Sequence, residues 1–147
     1  MSQFKQAEQQ LRSLLIGEFY SGVLIDDGWS FRFGDIWLVA QEISAPEEQR
    51  LLTILQAAAP LVMDGTDPQY ITKGILALRS LRQPVTELAI ADDGALTLHF
   101  EPGKSLIYPA DTAVVDWQWA VNRSGQTPYV DFIVACFGQG EIQTNAL

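Results

Sequence analysis

The stretch that decides the fold is Ile25-Asp26-Asp27-Gly28-Trp29-Ser30-Phe31-Arg32-Phe33-Gly34-Asp35-Ile36-Trp37-Leu38. An acidic turn is followed by a strand whose apolar residues alternate and close on Phe33. A second turn and a second alternating strand come after it. Aspartate and glycine are the residues such turns want, the one for local side-chain hydrogen bonds and the other for backbone freedom. The same phrase recurs as Ile90-Ala91-Asp92-Asp93-Gly94-Ala95-Leu96-Thr97-Leu98-His99-Phe100, with a turn at Pro102-Gly103-Lys104 and then Leu106-x-Tyr108. The spacing from turn to phenylalanine is one residue longer in the second copy. A repeated β-meander is therefore expected, and neither copy contains an evident catalytic group.

Working outward, Phe4, Ala7, Leu11, Leu14 and Leu15 recur at helical spacing, which predicts an amphipathic helix over 1–17 that ends near Gly17. The first meander is expected over 18–43. Ser44-Ala45-Pro46-Glu47 reads as a capping box for a helix presenting Leu51, Leu52, Leu55 and Ala58 and fading before Pro60. Asp67-Pro68 opens another helix with Ile71, Ile75 and Leu78 on one face, within a helical segment over 44–83. The second meander and further strands fill 84–137. In that segment Val114–Val121 reads as a strand with Trp117 and Trp119 on one face, and Tyr129–Phe137 as a central strand. The polar residues 138–147 read as a mobile tail. Strands, helices and strands in separate runs give the α+β class: two β-meanders in a largely antiparallel sheet, with an N-terminal helix and two central helices, in one domain over 1–147.

The chain has 147 residues, enough for a sizeable core, and 48% of them are hydrophobic. No apolar run is long enough for a membrane span, and the N-terminal residues lack the apolar stretch of a secretory signal. A single cysteine, Cys136, cannot form an internal disulfide. A cytoplasmic location is the resulting expectation.

Eighteen acids against nine bases give a net charge of −9. The excess is concentrated in 84–147, where eight acids face only Lys104 and Arg123. Such a field repels nucleic acid and anionic lipid and speeds association with a basic partner. It also serves solubility alone, so charge by itself does not decide between those uses.

Motif chemistry is sparse. No phosphate-binding loop, His-Glu-x-x-His, Cys-x-x-Cys or Gly-x-Ser-x-Gly occurs, and Gly138-x-Gly140 has no helix behind it. With one histidine and one cysteine no metal site or cofactor is predicted. His99 falls on the polar side of its strand and reads as solvated. The pairs Asp26-Asp27 and Asp92-Asp93 could serve as acid and base in glycoside hydrolysis. Adjacent acids before glycine are equally what a tight turn uses. No catalytic residue is assigned. Trp37, out of phase with Ile36 and Leu38, is a candidate interface anchor.

Leu11-x-x-Leu14-Leu15-x-Gly17 leading to Trp29-x-Phe31-x-Phe33-Gly34-Asp35 resembles a pattern of small bacterial immunity proteins. So does Gly94-x-Leu96-x-Leu98-x-Phe100-x-x-Gly103-x-x-Leu106 leading to Asp111 and Trp117. Those proteins accompany polymorphic and contact-dependent toxins. The resemblance implies a non-enzymatic protein that binds and blocks one cognate toxin, often a nuclease with a basic groove. It transfers no particular residues. From the charge, the expected binding residues are Asp92, Asp93, Glu101, Asp111 and Asp116, with Asp26, Asp27 and Trp37. A monomer or homodimer that binds neither nucleic acid nor membrane is expected. Two alternatives stay open: a secretion chaperone for an effector segment, and a small carboxylate-dependent hydrolase.

Overall fold

A computed structural model describes residues 2–62, 65 and 67–145. Helix α1 (Gln3–Leu15) is capped by the Ser2 hydroxyl, which accepts from the Lys5 N–H. Strands β1 (Tyr20–Ile25), β2 (Trp29–Phe33) and β3 (Ile36–Ala40) form the first meander. Two helices follow, α2 (Glu48–Val62) and α3 (Pro68–Leu78). The second meander is β4 (Val85–Ile90), β5 (Leu96–Phe100) and β6 (Lys104–Tyr108). Strands β7 (Trp119–Asn122), β8 (Val134–Gly138) and β9 (Glu141–Thr144) complete the described chain. The class is α+β, with antiparallel strands throughout.

The meanders do not share one large sheet. The first is extended by the C-terminal strands into a six-stranded sheet, β1-β2-β3-β7-β8-β9, while β4-β5-β6 form a sheet of three. The reason lies in the alternation itself. Each meander has one apolar face, and the two faces pack against each other. Phe33 stacks on Phe100 with ring centroids 6.4 Å apart, Tyr20 meets Phe100 at 5.9 Å, and Phe31 meets Tyr108 edge-on at 5.3 Å. All five are buried, as is Trp119, whose indole N–H donates to the Gly94 carbonyl of the other sheet at 3.0 Å.

The repeat reaches further than the turns and strands that announce it. Residues 65 positions apart occupy equivalent places: the helix caps Ser2 and Asp67, the buried Leu11 and Leu76, and the left-handed Gly17 and Arg82 at φ 85° and 72°. Where the copies meet, their hydrogen bonds are reciprocal. Gly17 N–H donates to Val85 O at 2.8 Å, and Arg82 N–H to Tyr20 O at 2.7 Å. Val85 N–H donates to Glu18 O at 2.9 Å, and Tyr20 N–H to Gln83 O at 3.0 Å. Both leading strands carry an irregularity at the same place, Tyr20/Gly22 and Val85/Glu87. The chain thus holds two helix–meander units about an approximate two-fold axis. Each helix packs on the other unit's first strand, α1 on β4 and α3 on β1.

Several local expectations change. Ser44 does not cap α2; it forms a bridge with Ile107, and Glu47 instead pairs with Arg79. Helix α2 continues past Pro60 to Val62. The buried residues of α3 are Thr72, Leu76 and Ala77, so Ile75 and Leu78 face outward. The strand expected over 114–121 begins only at Trp119; Val114 is fully exposed in a left-handed conformation at φ 63°. Trp117 and Trp119 therefore part company. Trp119 joins the main core, while Trp117 packs with Phe132 and Phe137 on a small cluster of Val39, Ala120 and Ala135 on the other face of the sheet. The segment 127–133 is irregular, and the central strand starts at Val134. The polar tail contains β9, whose Ile142 is buried opposite Cys136; residues 146 and 147 lie outside the described residues. Among the described residues no helix is long and apolar enough to cross a membrane.

Candidate functional site: an acidic end formed by both repeated turns

Both Asp-Asp-Gly turns lie at the same end of the molecule. In the six-stranded sheet, Ile25, Trp29, Ala40, Trp119 and Cys136 are cross-strand neighbours along the last rung before the turns. Asp26-Asp27-Gly28 caps that rung over β1 and β2, where a Cβ on Gly28 would stand 2.8 Å from the Ala40 carbonyl oxygen. Only glycine permits that approach. The second turn caps it from the other sheet. Gly94 has φ 103° and faces Cys136, and Asp93 O accepts from Gly140 N–H at 2.7 Å.

The turns solve the same problem with different aspartates. The first loop is residues 26–28, closed by Ile25 opposite Trp29, and Asp26 Oδ1 accepts from Gly28 N–H at 3.2 Å. The second loop is residues 91–95, closed by Ile90 opposite Leu96, and Asp93 Oδ1 accepts from Ala95 N–H at 2.9 Å. The longer loop accounts for the shifted phenylalanine. It also leaves the other member of each pair, Asp27 and Asp92, exposed and outside these turn bonds.

Other acids join them. Asp111 and Glu141 line a shallow cavity of about 430 Å³ with Thr112, Gln118 and Gly138. The loop carrying Asp111 is held by a two-way bond: Gln118 Oε1 accepts from Thr112 N–H at 2.9 Å, and Gln118 Nε2 donates to Thr112 O at 3.0 Å. The Asp116 carboxylate beside Tyr129 raises that phenol above its ordinary range. Beside the first turn, Asp26 and Asp27 share a cleft of about 380 Å³ with Trp29, Gln41 and Trp117. They also share one of about 490 Å³ with Asp67, Tyr70 and Lys73.

Two expected site residues fall elsewhere. Glu101 begins the β5–β6 turn, at the opposite end of its hairpin from Asp93. Trp37 is half-buried under the loop after β7: a Cβ on Gly125 would stand 3.0 Å from its indole, so it is not a protruding anchor. Glu141 and Trp117 are the additions. Sequence spacing puts Trp117 on one face with Trp119, and polarity puts Glu141 in a mobile tail, so neither is marked as a site residue by pattern.

Charge is distributed unevenly between this end and the rest. Ion pairs take up Arg12 with Glu8 and Glu87, Lys73 with Glu42 and Glu48, Arg79 with Glu47, and Arg123 with Asp35. Among the described residues none of the acids at the turn end has an ion-pair partner. No three of the described histidine, cysteine and carboxylate side chains come together as a metal-binding group. Cys136, beneath the second turn, is buried and donates to Gly138 O at 3.1 Å. Burial pushes its thiol up to about 11. Since the thiolate is the reactive form, iodoacetamide at pH 9 should alkylate the native chain at least about 100-fold more slowly than the urea-unfolded chain. The neutral thiol's stabilisation is complete below its ordinary pKa and is lost as pH rises toward 11. Equal alkylation rates in the two states would place Cys136 in solvent.

Comparison of the chain with protein-family models, curated proteins and solved structures found no match.

Proposed function

We propose that the chain is an immunity-type protein of the bacterial cytoplasm that binds and neutralises a cognate toxin domain with a basic surface, such as a nuclease. The observation that supports it most is the end formed by both repeated turns. There Asp27, Asp92, Asp93, Asp111 and Glu141 gather without an ion-pair partner among the described residues, while Arg12, Lys73, Arg79 and Arg123 are tied to other acids. A fold stabilises itself by pairing charge or dispersing it; a concentration left uncompensated suits a cationic surface brought by a partner.

The test is co-expression with the variable C-terminal toxin domain encoded beside the gene. A stoichiometric complex is expected at low salt, with activity of the toxin blocked and affinity falling steeply between 50 and about 500 mM salt as surface charges are screened. Failure to co-purify at low salt would overturn the proposal. Each aspartate pair gives one member to its own turn, which supports a scaffold role over the hydrolase alternative.

A further inference from the structure

The two helix–meander units treat their equivalent strand edges differently. In the second unit the outward edge of β4 is closed at Leu88. Arg12 Nη2 donates to the Leu88 carbonyl at 3.0 Å, and the Glu87 carboxylate accepts from the Leu88 N–H at 2.9 Å. The equivalent position in the first unit is Val23. There the counterpart of Arg12 is Ala77 and the counterpart of Glu87 is Gly22. Neither residue can reach the strand with a polar group, so the plug is missing.

The geometry of β1 says what this leaves open. The β2–β3 hairpin closes on Phe33 opposite Ile36, which directs the N–H and C=O groups of Phe33, Phe31 and Trp29 toward β3. Ser30 and Arg32 are then the residues that bond to β1, through Leu24 and Gly22. Val23 and Ile25 consequently turn their N–H and C=O groups away from the sheet. Among the described residues no hydrogen bond reaches them from outside β1 and β2. Helix α3 packs on β1 but brings no hydrogen bond to Val23 or Ile25, whereas β6 is closed by reciprocal 2.9 Å bonds between Ser44 and Ile107 and by Arg79 on Ser105 O, and β9 is flanked by α1. Natural sheets block such edges because an open one templates another strand. Leu24 and Ile25 are also 58% and 39% exposed.

We propose that the Val23–Ile25 edge of β1 is a strand-addition site for an extended basic segment of the partner protein. The backbone supplies two outward N–H and C=O pairs in strand spacing, and Leu24 and Ile25 supply apolar contact. Charge selects the occupant: the edge runs directly into Asp26-Asp27, and the cleft beside that turn adds Asp67, while Lys73 in the same cleft is already paired with Glu42 and Glu48. Cationic side chains on an added strand would meet these acids. A second copy of this chain would bring another −9 to the same place. The inference rests on the basic partner proposed above and names the element that receives it.

Amide exchange in the full ¹⁵N-labelled chain tests it, with an acetylated, amidated heptapeptide alternating lysine or arginine with valine as probe. At millimolar peptide the Val23 and Ile25 amides should slow by about tenfold or more, and a peptide with glutamate for each base should leave them unchanged. Gly22→Glu copies the plug of the second unit into a position where a Cβ meets nothing within 4 Å. It should abolish the protection although it adds an acid; Gly22→Ala should not. Protection confined to other residues, equal effects of both peptides, or a dimer with Val23 and Ile25 already protected would overturn the inference. A toxin complex that leaves those two amides unchanged would overturn this site alone. Peptide protection without any toxin complex would overturn the toxin reading alone.

Discussion

Phe100→Ala is expected to lower the unfolding free energy by about 3–5 kcal/mol, the largest stability loss of any single change at the junction of the two units. Phe100 closes β5, is 1% exposed, and lies between Phe33 and Tyr20 of the opposite sheet. Deleting the ring removes its transfer free energy and leaves a cavity walled by two other aromatic rings that are themselves fixed. Tyr20 cannot swing in to fill it, because its hydroxyl donates to Ala77 O at 2.7 Å. Phe33 occupies the same place in the first unit, so Phe33→Ala should cost a similar amount. The double variant should lose about 0.5–1.5 kcal/mol less than the two losses combined, since the stacked pair interacts directly. Urea unfolding of the three variants measures this. A Phe100→Ala loss under about 1 kcal/mol would mean that the sheets do not meet through these rings.

The first clue to that junction was plain in the sequence, and the rest was hidden for physical reasons. Alternation ending in Phe33 and Phe100, with turn residues at fixed places, specifies meanders because a period of two has one apolar face. That each unit also includes its helix could not be read the same way. Helix positions Leu11 and Leu76 agree, but Leu15 aligns with Ser80 and Gly17 with Arg82. The backbone conformation is shared at Gly17 and Arg82, whereas the residue type that favours it is not. The caps Ser2 and Asp67 also stand 65 residues apart, but only Asp67 is followed by a proline that marks a helix start.

Strands β7 and β8 begin five residues later than the sequence pattern predicts, for another reason. Their residues are buried on both faces, so no alternation marks where they start, and the aromatic residues before them pack outside the sheet. Strand β9 has four residues and one buried side chain, too little pattern to distinguish from a tail. Successive turns of a meander point to opposite ends, so Glu101 could not have stood beside Asp92 and Asp93. Asp111, one strand further on, could. That Asp26-Asp27 joins the same end depends on how the two sheets face each other, and no local pattern encodes it.

Reversing charge at that end should have the largest effect on binding. The choice of aspartates matters, because Asp26 and Asp93 hold their turns through the Gly28 and Ala95 amides. Losing those bonds would confuse interface with fold. Asp27 and Asp92 occupy the same loops, are exposed, and leave both turn bonds in place when changed. The double variant Asp27→Lys/Asp92→Lys is therefore expected to bind the toxin domain at least about 100-fold more weakly, roughly 3 kcal/mol at about 1.4 kcal/mol per tenfold. This lies within the range of about 1.5–7 kcal/mol measured for close charge pairs at a tight interface. Raising salt should narrow the gap between variant and parent, since screening weakens attraction and repulsion alike. The melting temperature of the free chain should stay within a few degrees, because both side chains are solvated. Glu101→Lys, at the far end of its hairpin, makes half that charge change away from the site and should alter affinity by less than about threefold. If Glu101→Lys is the more damaging variant, the partner binds the opposite end, and the gathering of the two turns is a matter of folding alone.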